Sequence, residues 1–154
     1  GAGVLLMTIE QDQEPIVDLF TIRYLGEIRE PRAVKPLLAQ LKKPSIDVRM
    51  AAVSALGETG SPEAIPDLLD LLKGENPRLR EAAATGLGGM KDPRVTQALA
   101  RTLDDEASRV REAAAGSLAR LKDPAAKPAL TARLAAETSS RVRQALTAAL
   151  EALK

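Results

Sequence analysis

An all-α solenoid of about ten short helices, stacked in antiparallel pairs, follows from three observations on the sequence. Proline recurs at Pro31, Pro62, Pro93 and Pro124, each 31 residues after the last. Behind each proline the apolar residues fall at i, i+3, i+7, the period of a helix face. The interior is almost purely aliphatic: the 154 residues are 45% hydrophobic yet hold one Phe (Phe20), one Tyr (Tyr24) and no Trp. Leu and Ala are strong helix formers, and no alternating β-branched or aromatic run marks a strand. A unit of this length, whose apolar faces are covered only by its neighbours, builds a solenoid.

A single solenoid domain is predicted over 1–154, and its units run in order along the chain. Residues 1–14 form a partial unit, with Leu5, Leu6 and Ile9 matching Leu37, Leu38 and Leu41 if one residue is inserted. The unit 15–43 opens on a first helix over 16–28, where Val17, Leu25 and Gly26 match Val48, Leu56 and Gly57. Units 44–74, 75–105 and 106–137 follow, and a partial unit 138–154 closes the chain. Two accounts of the open ends stand: a piece of a longer array, or a true start at Met7 with residues 1–6 foreign to it.

Within each unit the first helix, A, starts at a Val-Arg or Leu-Arg pair (Val48-Arg49, Leu79-Arg80, Val110-Arg111, Val142-Arg143). Its body is the run Ala51-Ala52, Ala82-Ala83, Ala113-Ala114 or Ala145-Leu146, small enough to let helices approach. It closes on Leu56, Leu87, Leu118 or Leu150. The last interval is 32 residues, which places one inserted residue near Ser139-Ser140. The second helix, B, follows the proline, a residue favoured at the first helical position. Of the preceding residues Glu30, Ser61, Asp92 and Asp123, the last three are good N-caps. Leu37, Leu68, Leu99 and Leu130 align in B, as do Leu41, Leu72, Leu103 and Leu134. Val34 and Ile65 hold the core position before them, which Thr96 and Lys127 weaken in later units. Turns such as Gly74-Glu75-Asn76-Pro77 lead from B to the next A.

The unit from Asp47 to Leu72, with Val48-Arg49, Ala51-Ala52, Ala55-Leu56-Gly57, Pro62 and Ala64-Ile65-Pro66 in register, resembles the short HEAT-like repeats of phycobilisome lyases. The resemblance covers roughly residues 16–154. It implies a right-handed α-α superhelix with A helices on the convex side and B helices on the concave side, where a partner is held. Ala119 and Glu151 depart from the family glycine, and Gly86, Gly88 and Gly89 crowd one helix, at a cost of up to about 3 kcal/mol relative to alanine.

Composition removes several chemistries. With no Cys and no His, the chain can offer no disulfide, thiol nucleophile, zinc finger, catalytic triad or imidazole-based metal site. No catalytic residue, metal ligand or cofactor is therefore assigned. The apolar stretch 4–7 is too short to span a membrane and lacks the basic lead-in of a signal peptide, so a cytoplasmic protein is expected. Gly86-Leu87-Gly88-Gly89 lacks the strand and Lys-Ser/Thr of a phosphate loop.

Three sets of charged residues remain. Arg49, Arg80, Arg111 and Arg143 recur as a ladder, which the resemblance reads as structural, bonding backbone and acidic groups between units. Arg78, Arg109 and Arg141 lie two residues before the last three, a row that opposes the helix dipole and could meet phosphates or an acidic partner. A solvated edge neutralised by Glu81, Glu106 and Glu112 is the plainer reading of that row. The third set points away from the leucine stripe of B: Arg32, Lys35, Glu63, Asp67, Asp70, Arg94, Gln97, Arg101 and Arg133, with Ala39, Ala129 and Ala132. These are the candidate partner-binding positions of the concave face. Charge is also polarised, with a net −4 over 1–77 and +5 over 78–154.

The expected function is a non-enzymatic scaffold or adaptor that holds a protein or peptide on the B helices. Two other readings stay open. One is a regulatory subunit or domain of an enzyme such as a bilin-lyase-like protein. The other is phosphate or nucleic-acid binding through the Arg78, Arg109 and Arg141 row, against which stands the lack of aromatics to stack on bases. Oligomeric state is open, since exposed solenoid ends can pair.

Overall fold

A computed structural model describes residues 2–3 and 19–154. The rest of the partial unit expected over 1–14, and the first three residues of the helix expected over 16–28, lie outside the described residues. Among the described residues there are nine α-helices and no strand. The A helices are α1 (Leu19–Glu27), α3 (Ile46–Thr59), α5 (Pro77–Gly86), α7 (Ser108–Leu121) and α9 (Ser140–Ala152). The B helices are α2 (Val34–Gln40), α4 (Ile65–Leu71), α6 (Pro93–Thr102) and α8 (Lys127–Ala136). A 3-10 turn starting at Pro31, Pro62 or Pro124 leads into α2, α4 and α8. This is the α-α solenoid that the periodicity predicts.

The core runs unbroken through the stack. Leu25, Leu56, Leu87 and Leu118 from the A helices meet Leu37, Leu68, Leu99 and Leu130 from the B helices, all fully buried. Each burial of a leucine side chain is worth roughly 1.5–3 kcal/mol. A second row lies behind it: Ala33, Ala64, Val95 and Ala126, all at zero exposure at the start of each B segment. Val95 fills this row with a larger side chain in the unit where Thr96 replaces Val34 or Ile65, and Thr96 is itself buried. Lys127, the next in that series, is exposed.

The caps depart from expectation in an instructive way. Glu30, the poorest N-cap type of the four, accepts the Arg32 backbone N–H at 3.0 Å, while Ser61 makes no side-chain cap. Arg32 explains the exception, because its guanidinium grips both Glu30 oxygens (2.9 and 3.1 Å) and holds the longer carboxylate in place. Asp92 and Asp123 cap Arg94 and Ala125 as expected. At the other end of α3, Gly60 adopts φ 65° and its N–H bonds the Leu56 carbonyl, the left-handed closure that glycine makes without strain. Lys122 takes the same place after α7 with φ 54°.

Spacing between layers decides the curvature. A Cβ placed on Gly26 would lie 2.6 Å from the Ala55 Cα, and one on Gly57 2.7 Å from the Gly86 Cα, so neighbouring A helices meet backbone to backbone. Successive B helices touch at only a few points. In a two-layered stack the more closely spaced layer occupies the inside of the curve. The A helices therefore line the concave side and the B helices the convex side. This reverses the expected assignment, and its cause is the small-residue row of A, which permits an approach that the leucine-rich B helices do not make.

Two local expectations also change. The glycines of α5 are not a random weak point: the α-helix ends at Gly86 and continues as one 3-10 turn, Leu87–Gly89. Gly88 is buried under the Arg120 guanidinium and 2.6 Å, measured from an added Cβ, from Ser117 Oγ. That room lets Arg120 reach the Thr85 carbonyl at 2.6 Å and Ser117 the Ala84 carbonyl at 2.6 Å, stitching α7 to the end of α5. The inserted residue of the last unit, in turn, falls before Glu137 and not at Ser139-Ser140. Leu103 and Leu134 are still 31 apart, whereas Asp105 and Glu137, which do the same work, are 32 apart. The extra residue lengthens the end of α8.

Candidate binding groove and the arginine ladder

The ladder arginines stand at the start of the A helices and face the turn that leads from B to A. Arg80 donates from Nη1 to the carbonyls of Gly74 (2.9 Å) and Glu75 (3.1 Å) in its own turn. It donates from Nε and Nη2 to both oxygens of Asp105 in the next turn (2.9 and 3.2 Å). Arg111 repeats this with Asp105 and Glu106 carbonyls and with Glu137, at 2.7 and 3.0 Å. Such bidentate, charge-assisted pairs are the strong ones. Arg143 bonds the carbonyls of Leu134 and Glu137.

Glu137 is the hub of this chain of contacts. Its side chain is wholly buried and also receives Arg133 Nε at 3.2 Å and the backbone N–H groups of Thr138 and Ser139. The Arg111 guanidinium above all holds its carboxyl down, from an ordinary value near 4.5 to about 2. Arg133, expected on an open binding face, is thus largely committed to this cluster, with Asp104 a further neighbour at 3.5 Å. Asp105 and Glu137 were not singled out in the sequence; the signal is an acid at one repeat position, 25 residues after Arg80 and, past the inserted residue, 26 after Arg111. Arg49 breaks the pattern: residue 74, 25 positions on, is glycine, and Arg49 Nε is buried with no hydrogen-bond partner.

The other candidates separate by layer. Lys35, Glu63, Asp67, Asp70, Gln97 and Arg101 are exposed on the convex B layer, where positive, negative and again positive bands follow one another unit by unit. Arg32 and Arg94, 66% and 58% exposed, are held by their own caps Glu30 and Asp92. Arg78, Arg109 and Arg141 lie on the concave A layer, in the first turns of α5, α7 and α9. Of the acids expected to neutralise them, Glu112 pairs with Arg141 at 3.5 Å, and Glu106 turns instead to Arg80. The guanidinium groups of Arg78 and Arg109 form no ion pair with a described residue.

A groove of about 980 Å³ runs across α3, α5 and α7 on this concave side. Its floor includes the small groups Ser54, Gly57, Ala82, Thr85, Gly86 and Gly89, of which Gly57 and Gly86 bring two A helices together. Arg29, Arg78, Arg109 and Arg120 stand around it with Glu58 and Glu81. A smaller hollow of about 330 Å³ continues toward α9 between Glu81, Thr85, Arg109, Glu112 and Arg141. The arginine row and the groove were separate in the sequence; folding makes the row the groove's edge. Among the described residues no three acidic side chains gather as a cation site, and no helix is long and apolar enough to cross a membrane.

Fold and groove define an α-α repeat protein with a concave, arginine-edged surface. The model of the HEAT repeats family matches residues 4–84 and again 65–151, and the chain belongs to that family. No curated protein matches it. Among solved structures it is similar to the complex of CpcE and CpcF of phycocyanin lyase from Nostoc sp. PCC7120 (24% identity, TM-score 0.82, all of this chain and 65% of that one). The chain thus spans about two thirds of the length of that relative. It is also similar to human deoxyhypusine hydroxylase (21%, TM-score 0.59, covering 99% and 73%). A designed armadillo repeat protein in complex with the peptide (KR)4 is a third (20%, TM-score 0.69, covering 97% and 80%). These likenesses establish the shared fold.

Proposed function

We propose that this protein is a non-enzymatic scaffold that holds a segment of a protein partner in the concave groove of its A helices. The observation that carries this reading is the groove itself: about 980 Å³, continuous across three helices, with small residues on its floor and arginines at its edge. Such dimensions suit a bound chain. The aligned leucines of the repeat are spent on the core, which leaves exposed groove positions such as Ser54 and Thr85 free to vary. Two relatives support a protein ligand: one HEAT-like structure is of a two-protein complex, and one armadillo structure holds a peptide. A chain without histidine also offers no imidazole for general acid–base chemistry.

A peptide-display library panned on the protein tests the proposal, with Ser54→Trp and Thr85→Trp as groove-filling variants. Both positions are exposed on the groove floor, so the larger side chains block it without entering the core. Enriched peptides are expected to bind the parent with micromolar affinity and to lose at least tenfold on the filled variants. No enrichment, or binding indifferent to the filling, overturns it. Binding lost instead on reversing Asp67 and Asp70 would assign the partner to the convex B layer and overturn it equally.

A further inference from the structure

The edge of the groove has a spacing as well as a sign. Arg78, Arg109 and Arg141 occupy the same register on three successive A helices, so each step along the row is one helix-to-helix distance. Packed helices stand about 8–10 Å apart, and the backbone contact between α3 and α5 shows how tightly this layer packs. An extended chain in the polyproline II conformation rises about 3.1 Å per residue with three residues per turn, so its same-face groups recur at about 9 Å. A β-strand repeats its faces at about 6.6 Å and falls out of step after one unit. The arginines do not converge on a point, which argues against a compact anion, and no aromatic side chain lines the groove for a base to stack on.

Resting on the reading of the groove as the partner site, we infer that it takes an extended acidic segment of a protein, with a carboxylate at every third residue facing the arginine row. Charge supports the sign: the groove is lined by four arginines against two glutamates. Arg78 and Arg109 have no ion pair to surrender, so a carboxylate gains a contact there and displaces none. Glu81, one turn after Arg78 and beside Arg109, supplies the other half of the discrimination, since an acid placed between the arginines meets it and is repelled. A uniformly acidic run is therefore a poorer ligand than a periodic one of equal charge. Basic segments, of the kind bound by the designed armadillo protein, are refused.

Fluorescence anisotropy with labelled synthetic peptides tests this on the whole chain. The probe is a peptide of four Asp-Pro-Ser triplets; the controls are the same composition with its aspartates contiguous, and the triplet peptide with lysine for aspartate. The triplet probe is expected to bind at least tenfold more tightly than the contiguous control, with affinity that falls as salt rises. The Arg78→Glu/Arg109→Glu variant is expected to lose at least tenfold, and Arg78→Gln/Arg109→Gln less, each with a thermal melt no lower than the parent's because both side chains are exposed and oppose the helix dipole. Equal binding of the two acidic peptides, binding of the lysine peptide, or tighter binding of oligo-dT overturns the inference. If library peptides occupy the groove but show no acidic triplet preference, the scaffold reading stands and this one falls.

Discussion

The ladder rungs at Arg80 and Arg111 differ from the rung at Arg49, although all three belong to the same Val-Arg or Leu-Arg motif at the same helical position. At Arg80 and Arg111 a carboxylate from the next turn closes the guanidinium bidentately, so consecutive units are tied by charge as well as by leucine packing. At Arg49 the acid is replaced by Gly74 and the buried Nε has no partner. A buried donor without an acceptor costs about 1–3 kcal/mol. One motif therefore stabilises or burdens the stack according to the residue at one position of the next turn.

The largest expected effect comes from breaking the strongest rung. Glu137→Gln keeps the shape but removes the charge that faces Arg111 and Arg133, and is expected to cost roughly 3–5 kcal/mol in urea unfolding. The same variant carries a pH signature. The folded carboxyl sits at about 2 against an ordinary 4.5, so its stabilisation is complete above about pH 5 and drains away as the pH falls toward 2. The parent should therefore lose stability through that window more steeply than Glu137→Gln, and parallel curves would refute the rung. The complementary change is Gly74→Asp, which supplies the missing acid to Arg49. An added Cβ at Gly74 has only an ordinary contact with the Leu71 carbonyl, and a gain of about 1 kcal/mol is expected. The gain should vanish in an Arg49→Gln background, as a double-mutant cycle would report. Smallest is Lys122→Gly, which relieves a side chain from the left-handed closure after α7. It should add about 0.5–1 kcal/mol and raise the melting temperature by a few degrees, without touching any rung.

The helices, their order and nearly every core leucine could be read from the sequence, because a 31-residue period imposes the same local physics on each copy. What could not be read depends on relations between copies. Which layer lies inside the curve had to be taken from the resemblance, because single-helix patterns carry no information on layer spacing; the approach of Gly57 to Gly86 is where that spacing shows. Asp105 and Glu137 escaped because each is an unremarkable acid in a turn until the fold sets it against an arginine of the previous unit. Arg133 looked available because its role depends on the one-residue extension of α8. The Arg78, Arg109 and Arg141 row was visible, but its place beside a groove was not.

The contact between Gly57 and Gly86 also works as a dial. Where backbone rests on backbone, the angle between two units is set by the absence of a side chain, and a single methyl on Gly57 would act as a wedge, whereas one on Gly86 meets only ordinary contacts. Wedges on the inner layer open the arc; their removal closes it. The radius of the whole crescent can therefore drift by small steps on the groove's floor, while the cations that would greet a partner keep their identities and change only their separation.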